Sequence, residues 1–217
     1  MPRRKIPDIG QTAHITIRSN NREFLFDLDT NFSDMVSWFN ALPCFFNISI
    51  HHILFMSNHI HLLATAHKAK INIGMSYLLT NLSKFLNHRN KRINHVFGNR
   101  YAPTVILNEK HYINVIRYIY QNPVRSELTR SVIDYPYSSL GFYTGESNRG
   151  LFVEPDPYTA NLFNQGLSGR SQWIAEILNE LEGEDTKLMN QMLMKSRFCY
   201  SRQNLLSLAQ RQSTLMV

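Results

Sequence analysis

The sequence predicts an α+β protein with a mainly antiparallel sheet, helices packed on one face of it, and a C-terminal helical extension. Three observations lead to this prediction: β-rich segments, helical segments with apolar residues three and four positions apart, and a two-residue turn between two strands. Hydrophobic residues make up 43% of the 217 positions, which is typical of a globular protein and not of a disordered one.

Four strands are predicted in the first half of the chain. Residues 12–19 alternate in hydrophobicity, and residues 46–56 are apolar on both faces, which favours a central position in the sheet. Ser57 and Asn58 form a tight turn into residues 59–66, so the second and third strands should form a hairpin. A short fourth strand is predicted over 104–107.

Three helices are predicted over residues 29–42, 71–93 and 109–121. Proline disfavours the α conformation in the residue before it, so Asn122 and Pro123 should end the third helix. The second helix ends in more basic side chains than its dipole requires, so helix capping and a phosphate-contacting patch both remain open explanations. These side chains are Lys84, His88, Arg89, Lys91 and Arg92.

The third helix separates two tyrosines onto different faces. At about 100° per residue, Tyr120 lies on the apolar packing stripe with Ile116, whereas Tyr118 lies on the opposite face. Asn114 and Asn122 share the face of Tyr118, each one turn away from it. Tyr118 is therefore the tyrosine of this helix that is available for a role other than packing.

The positive charge is concentrated in one part of the chain. The net charge is +7, and the excess of Lys and Arg over Asp and Glu lies entirely within residues 1–150. A basic domain favours a polyanionic partner, above all nucleic acid, although many ordinary soluble proteins are as basic. Pro155 and Pro157 predict a linker, so we expect one domain over 1–150 and a helical extension over 151–217, with one helix over 171–182.

The composition also favours one cellular setting. No apolar run approaches the roughly 20 residues that span a bilayer, and the basic N-terminal residues lack the apolar core of a signal peptide. Cys44 and Cys199 are far apart and lack the spacing of a metal site, which favours a reducing compartment. We therefore expect a cytoplasmic protein with no membrane partner.

His59 and His61 are the first candidates for chemistry. They lie two residues apart in the predicted third strand, so both imidazoles should project from the same face of the sheet. Two such side chains could bind one metal ion. Taken alone, however, a pair of this kind more often packs or forms hydrogen bonds, and the other histidines are by default structural.

The long-range pattern around this pair resembles the REP-associated tyrosine transposases, within the single-tyrosine branch of the HUH nucleases. The matching blocks are Pro2-Arg-Arg4, Arg18-Ser-Asn-Asn-Arg22, Phe55-Met-Ser-Asn-His-Ile-His-Leu-Leu63, Phe97-Gly-Asn-Arg-Tyr101, Tyr118-Ile-Tyr-Gln-Asn-Pro-Val-Arg125 and Asp134-Tyr-Pro-Tyr-Ser-Ser139. The blocks occur in the expected order. Ser57 departs from the family, which usually has proline there, and the segment after about residue 160 has no counterpart.

The resemblance implies a role for each matching residue. It makes His59 and His61 the metal-binding pair, Tyr118 the nucleophile and Asn122 the third protein ligand. It also implies a ferredoxin-like or RRM-like catalytic domain that binds Mg²⁺ or Mn²⁺. The spacing agrees with these roles, because Tyr118 and Asn122 share a helix face.

The implied function is metal-dependent cleavage and strand transfer of single-stranded DNA through a 5′-phosphotyrosine intermediate. The partner would be single-stranded or hairpin DNA of repetitive extragenic palindromes, in a bacterial cytoplasm and in association with the nucleoid. Monomer and homodimer both remain open, because some relatives complete the site with a partner's tyrosine. By analogy with the family, eight arginines are expected to contact DNA: Arg4, Arg18, Arg22, Arg89, Arg92, Arg100, Arg117 and Arg125. The alternative for each is a solvated position on the surface.

Two alternative functions remain to be weighed. A rolling-circle replication initiator would share the nuclease chemistry. The block from Asn122 to Arg125 argues against it, because this block closely resembles that of the REP-associated tyrosine transposases. A non-catalytic nucleic-acid-binding protein could retain the fold, but it would have no reason to keep His59, His61, Tyr118 and Asn122 together. Metal-dependent nicking of a labelled oligonucleotide separates the two classes.

Overall fold

A four-stranded antiparallel sheet forms the centre of the computed structural model, which describes residues 6–98, 101–145 and 149–178. The strands are β1 Thr12–Arg18, β2 Ile48–Phe55, β3 His59–Ala66 and β4 Ala102–Val105. They follow the order β2-β3-β1-β4, and each strand runs antiparallel to its neighbours. The predicted antiparallel sheet and the hairpin of β2 and β3 are confirmed.

The described residues also form six α-helices. They are α1 Leu28–Phe46, α2 Asn72–Arg89, α3 Glu109–Arg125, α4 Leu140–Thr144, α5 Pro157–Phe163 and α6 Leu167–Leu178. α1 runs past its predicted end and stops where Asn47 adopts a left-handed φ of 50°, so β2 begins later than predicted. Within the described residues, no helix is long and apolar enough to cross a membrane.

β2 is an edge strand, whereas its apolar residues predict a central one. A later segment of the chain covers the outer edge of β2. The backbone N–H of Phe55 donates to the carbonyl of Tyr137 over 2.9 Å, and that of Glu154 donates to the carbonyl of Ile50 over 2.9 Å. The covered edge buries every residue of β2, which gives it the composition of a central strand.

Helices pack on both faces of the sheet, whereas the sequence predicts them on one. On one face Ile60, Leu62 and Ala64 of β3 join the core that α1 and α2 cover. On the opposite face Leu63 belongs to a second core, together with Ile116 and the other buried residues of α3. The α+β class is confirmed, and α3 takes the opposite face because β3 offers apolar residues on both sides.

α3 continues to Arg125, although the sequence predicts an end at Asn122 and Pro123. Residues before proline avoid the α conformation only as a statistical tendency. Here the helix continues, because hydrogen bonds made after Pro123 compensate for the N–H group that proline lacks. The N–H of Ser126 donates to the carbonyl of Asn122 over 3.0 Å, and that of Leu128 donates to the carbonyl of Pro123 over 2.9 Å. Asn122 therefore lies inside the helix.

A β-bulge interrupts the pairing of β2 with β3. Ile50 lies opposite Ala64 and His52 lies opposite Leu63, so His51 is an extra residue in β2. The bulge returns Ile53 to the same core as Ile50, on the face of α1 and α2.

The segment after residue 150 packs on α3. Asp156 caps α5 by accepting hydrogen bonds from the backbone N–H groups of Tyr158 and Thr159, and Pro157 is the first residue of the helix. Trp173 of α6 is buried in the same core as α3. The division of the chain into domains at residue 150 stays a prediction, and residues 179–217 lie outside the described part.

Candidate functional site

The structure brings the four predicted site residues together between β3 and α3. The amide Nδ2 of Asn122 lies 3.1 Å from Nε2 of His61. The ring centroids of His61 and Tyr118 are 5.5 Å apart, and those of His59 and His61 are 4.9 Å apart with the rings nearly perpendicular. Strand alternation brings the two histidines to the same face, and the continuation of α3 through Pro123 keeps Asn122 beside Tyr118.

A hydrogen bond from the preceding turn orients His59. Nδ1 of His59 lies 2.6 Å from Oδ1 of Asn58. The amide group of Asn58 also donates from Nδ2 to the carbonyl of Arg22 over 3.3 Å, which fixes Oδ1 on the side of His59. Because an amide oxygen only accepts, Nδ1 of His59 carries the proton, and in the neutral ring the lone pair is then on Nε2.

His61 contacts β1 on its other side. Its Nδ1 lies 3.0 Å from Nε2 of His14 and 3.4 Å from Oγ1 of Thr16. The rings of His14 and His61 are stacked, with centroids 5.1 Å apart. Sequence reasoning did not find His14, whose place beside His61 depends on the pairing of β1 with β3.

Burial keeps all three imidazoles neutral at physiological pH. It lowers the pKa of His59 to about 4, with a further lowering by the Arg18 guanidinium. Burial holds the pKa of His61 well below its ordinary value, with smaller contributions from His59 and His14. The pKa of His14 falls to about 3, again mainly through burial. Neutral imidazoles offer lone pairs and so suit cation binding.

Tyr118 is buried, although its helix face lies away from the packing stripe. Only 8% of its surface is exposed, because this face of α3 meets the histidine side of the sheet. Burial raises the pKa of the Tyr118 hydroxyl, while Asn122, Arg18 and Arg125 act in the opposite direction. The Arg125 guanidinium lies 5.8 Å from the centre of the tyrosine ring. The phenol is therefore protonated at neutral pH and needs activation to act as a nucleophile.

The donor set fits a divalent cation bound by three protein ligands. Within the described residues, no three His, Cys, Asp or Glu side chains are grouped to hold a metal ion, so a cation beside His59 and His61 would need a third ligand of another type. His59 and His61 offer neutral imidazoles, and Asn122 offers an amide whose oxygen and nitrogen exchange on a half-turn of the group. Imidazole and amide ligands together suit Mn²⁺ and, less strongly, Mg²⁺.

Comparisons with known proteins give a structural match and no sequence match. No family model and no curated protein matches this chain. The structure of a REP-associated tyrosine transposase bound to a REP hairpin matches with a TM-score of 0.55 and 19% identity, over 67% of this chain and 85% of the other. The chain has the fold of a REP-associated tyrosine transposase. The resemblance found in the sequence is thereby confirmed in the structure.

A second match is a candidate transposase from Deinococcus radiodurans, with a TM-score of 0.38 and 12% identity, over 55% of this chain and 95% of the other. At 19% identity the likeness to the REP-associated tyrosine transposase is one of fold. The roles of individual residues in this transposase-like fold therefore depend on the geometry of the site itself.

Three of the predicted DNA-binding arginines adjoin the site. Arg18 lies opposite His59 in the pairing of β1 with β3, and burial followed by the nearby Arg22 lowers the pKa of its guanidinium. The carbonyl of Arg22 accepts the hydrogen bond from Nδ2 of Asn58, in the turn that precedes His59. Arg125 adjoins Tyr118. These side chains give the histidine face a positive rim.

The other predicted arginines contact protein or lie outside the described residues. Nε of Arg117 donates to the carbonyl of Glu176 in α6. Arg89 donates to Oδ1 of Asn31 over 3.0 Å, and Arg92 forms a 2.6 Å ion pair with Glu23. Contact with DNA therefore stays a prediction for all three. Arg4 and Arg100 lie outside the described residues.

The remaining histidines of β2 are structural, as expected. His52 is fully buried and lies within hydrogen-bonding distance of the hydroxyls of Tyr120, at 2.8 Å, and Tyr112, at 2.6 Å. Nε2 of His51 lies 2.8 Å from Oγ1 of Thr65. The prediction that Tyr120 belongs to the core is confirmed, because it is 1% exposed.

Proposed function

We propose that the protein is a single-stranded DNA endonuclease and strand transferase, a transposase whose nucleophile is Tyr118. One observation carries the proposal: a phenol, two neutral imidazoles and an amide meet on a face of the sheet that arginines border. The fold supports it, because the structural neighbour is a tyrosine transposase bound to a REP hairpin. Single-stranded or hairpin DNA of this repeat class is the proposed partner.

The reaction is an in-line displacement at phosphorus. The Tyr118 oxygen forms a bond to the scissile phosphorus as the bond from phosphorus to the 3′ oxygen breaks. The phenol proton passes to solvent, and the departing 3′ oxygen takes up a proton. The products are a 5′-phosphotyrosine and a free 3′-hydroxyl. Attack by another 3′-hydroxyl on the phosphotyrosine restores a phosphodiester and the phenol, so strands rejoin without ATP.

The side chains around Tyr118 prepare it for this step. Arg18, Arg125 and the Asn122 amide favour its phenolate and oppose the effect of burial. The neutral His59 and His61, together with Asn122, would hold Mg²⁺ or Mn²⁺. When bound, the cation supplies a Lewis acid that polarises the scissile phosphate.

One chain supplies every group of the proposed site. His59 and His61 lie on β3, Tyr118 and Asn122 lie on α3, and all belong to the same molecule. We accordingly propose a monomer as the active form. A homodimer that exchanges its tyrosines would instead require α3 to leave its own sheet.

Replacing the nucleophile is the direct test of this proposal. An oligonucleotide that carries a REP-type hairpin and a 3′ label should give a covalent adduct with the wild-type protein in Mn²⁺. Tyr118→Phe should reduce the adduct below detection, because the ring remains but the attacking oxygen is gone. Denaturing gels and mass spectrometry of the labelled peptide measure the adduct, and a gel-shift titration should show hairpin affinity unchanged within about threefold.

Tyr77→Phe is the matched control, because this tyrosine lies on α2, 41% exposed, and packs beside Phe46. The control should form the adduct at the wild-type rate. An adduct that persists in Tyr118→Phe would show that another residue is the nucleophile. Tight hairpin binding with no nicking, across hairpins of varied flanks and both metals, would instead indicate a binding protein.

A further inference from the structure

His14 is the buried neighbour of the site that no step above uses. It lies on β1, faces the histidine side of the sheet and is 1% exposed. Its Nε2 lies 3.0 Å from Nδ1 of His61, and the two rings are stacked with an interplanar angle of 29°. A side chain this buried and this close to a candidate ligand is placed to control it.

A hydrogen bond between the two rings couples their tautomers. Both rings are buried, with 1% of His14 and 0% of His61 exposed, and their facing nitrogens lie within hydrogen-bonding distance. A neutral imidazole has one N–H donor and one acceptor nitrogen. One of the two facing nitrogens must therefore carry the proton, and the other must accept it.

The opposite side of His61 decides which nitrogen carries the proton. Nδ2 of Asn122 donates to the backbone carbonyl of Tyr118 over 3.4 Å, and only the amide nitrogen can make that bond. The same Nδ2 lies 3.1 Å from Nε2 of His61, which must therefore accept. The proton of His61 is on Nδ1, and Nδ1 donates to Nε2 of His14.

We propose that His14 is a positioning residue that holds His61 in its Nδ1–H tautomer, with the Nε2 lone pair directed at Asn122. The inference rests on the proposed function for its consequence, because only this tautomer can offer Nε2 to a cation. Without an acceptor at His14, the proton of His61 could move to Nε2 and close that position. Thr16 is the remaining neighbour of Nδ1, at a longer 3.4 Å.

Nitrogen NMR of the metal-free protein reads the tautomer directly. With ¹⁵N-labelled histidine and His61→Gln to assign the signals, the wild-type His61 should show a single Nδ1–H tautomer. His14→Phe keeps a planar ring but removes the acceptor, and should give a mixture of tautomers. His14→Gln places an amide oxygen near the former Nε2 and should restore the Nδ1–H form.

Binding of Mn²⁺ alone provides a second readout that does not depend on nicking. His14→Phe should weaken Mn²⁺ binding about 10- to 100-fold, the range found when an outer partner of a metal ligand is removed. His14→Gln should recover most of that loss, whereas a purely structural role would show equal losses for both variants. Circular dichroism checks that each variant folds.

The possible results separate this inference from the proposed function. An Nε2–H tautomer of His61 in the wild-type protein overturns the role of His14, whether or not the variants fold. Unchanged tautomer and Mn²⁺ affinity in a folded His14→Phe overturn it too. An intact tautomer in a protein that never nicks DNA would overturn the nuclease proposal and leave the role of His14 standing.

Discussion

At the residue scale, Tyr118 combines two opposing influences. Burial raises the pKa of its hydroxyl, and the nearby Asn122, Arg18 and Arg125 lower it. The net direction is upward, so the phenolate is a minor species at neutral pH. A reaction that consumes the phenolate should then become faster as the pH rises towards the pKa of the phenol.

The pH profile of nicking tests this balance. Between pH 6.5 and 8.5 the single-turnover rate in Mn²⁺ should rise by up to about tenfold per pH unit, with no fall at the alkaline end. Arg125→Met should lower the rate across the whole range, because the pKa of Tyr118 then rises further. Arg130→Met, which removes an exposed charge of the same sign, is the control. A flat profile would show that deprotonation of Tyr118 does not limit the reaction.

The site residues differ in how far the sequence could predict them. His59, His61, Tyr118 and Asn122 belong to local patterns, two residues apart in a strand and one turn apart in a helix. The family resemblance predicted that these four residues lie close together, and they do so in the structure. His14 could not be predicted, because only the pairing of β1 with β3 brings it to His61.

At the element scale, α6 contacts the outer side of the helix that carries the proposed nucleophile. Nε2 of Gln121 donates to the carbonyl of Ile177 over 3.1 Å, near the end of α6. The Oε1 atom of Gln121 accepts from Nη2 of Arg125 over 3.0 Å. Gln121 therefore connects the end of α6 to the arginine that adjoins Tyr118.

Removing this connection should weaken both the fold and the reaction. Gln121→Ala leaves the carbonyl of Ile177 without its bond from Gln121, which should cost about 1–3 kcal/mol of unfolding free energy. The nicking rate should fall about 5- to 20-fold, because Arg125 loses one of the groups that position it. Denaturant titration and single-turnover kinetics measure the two effects.

Gln172→Ala on the exposed side of α6 is the control, since its amide makes only a long 3.4 Å contact to Glu176 among its described bonds. It should change neither the unfolding free energy nor the nicking rate appreciably. A Gln121→Ala protein with full activity and lowered stability would show that α6 supports the fold without affecting the proposed nucleophile.

Element boundaries show where sequence rules are weakest. The types of the main strands and helices are predicted correctly up to α3, because their periodicity is local. The end of α3 is missed at Pro123, since the rule for residues before proline is statistical and the later bonds of Ser126 and Leu128 compensate. The edge position of β2 is missed, because a covered edge and a central strand have the same composition.

At the scale of the whole molecule, buried histidines make the fold sensitive to acid. Burial lowers the pKa of four of them, all less than 5% exposed. These are His14, His51, His52 and His61. As the pH falls below about 6.5, these histidines bind protons in the unfolded chain but not in the folded one, so the free energy of unfolding decreases.

Thermal unfolding should therefore begin earlier in mild acid. His14 alone, with a pKa of about 3 in the fold, should cost about 1.4 kcal/mol at pH 5.5, which lowers Tm by about 3–5 °C. The other buried histidines add to this loss. Melting curves at pH 7.5 and 5.5 in EDTA measure it, and His14→Gln should recover part of the difference. An equal or higher Tm at pH 5.5 would contradict the prediction.

The arrangement of the helices on the sheet exceeds what the sequence could predict. Periodicity identifies an apolar face on each helix, but it does not say which side of the sheet that face meets. Leu63 shows which side α3 meets, because its side chain points away from the core of α1 and α2 and packs in the core of α3. Long-range packing of this kind has no local signature in the chain.

The extra residue in β2 has a consequence for the length of the chain. Up to Ile50 the inward positions of β2 are even-numbered, and from Ile53 onward they are odd-numbered. Deleting His51 would remove the bulge but leave Ile50 and Ile53 two positions apart, so both would still point to the inward face. Loss of His51 should therefore preserve the inward face of β2, whereas deletion of Ser49 would make Ile48 and Ile50 neighbours and turn one of them to the opposite face.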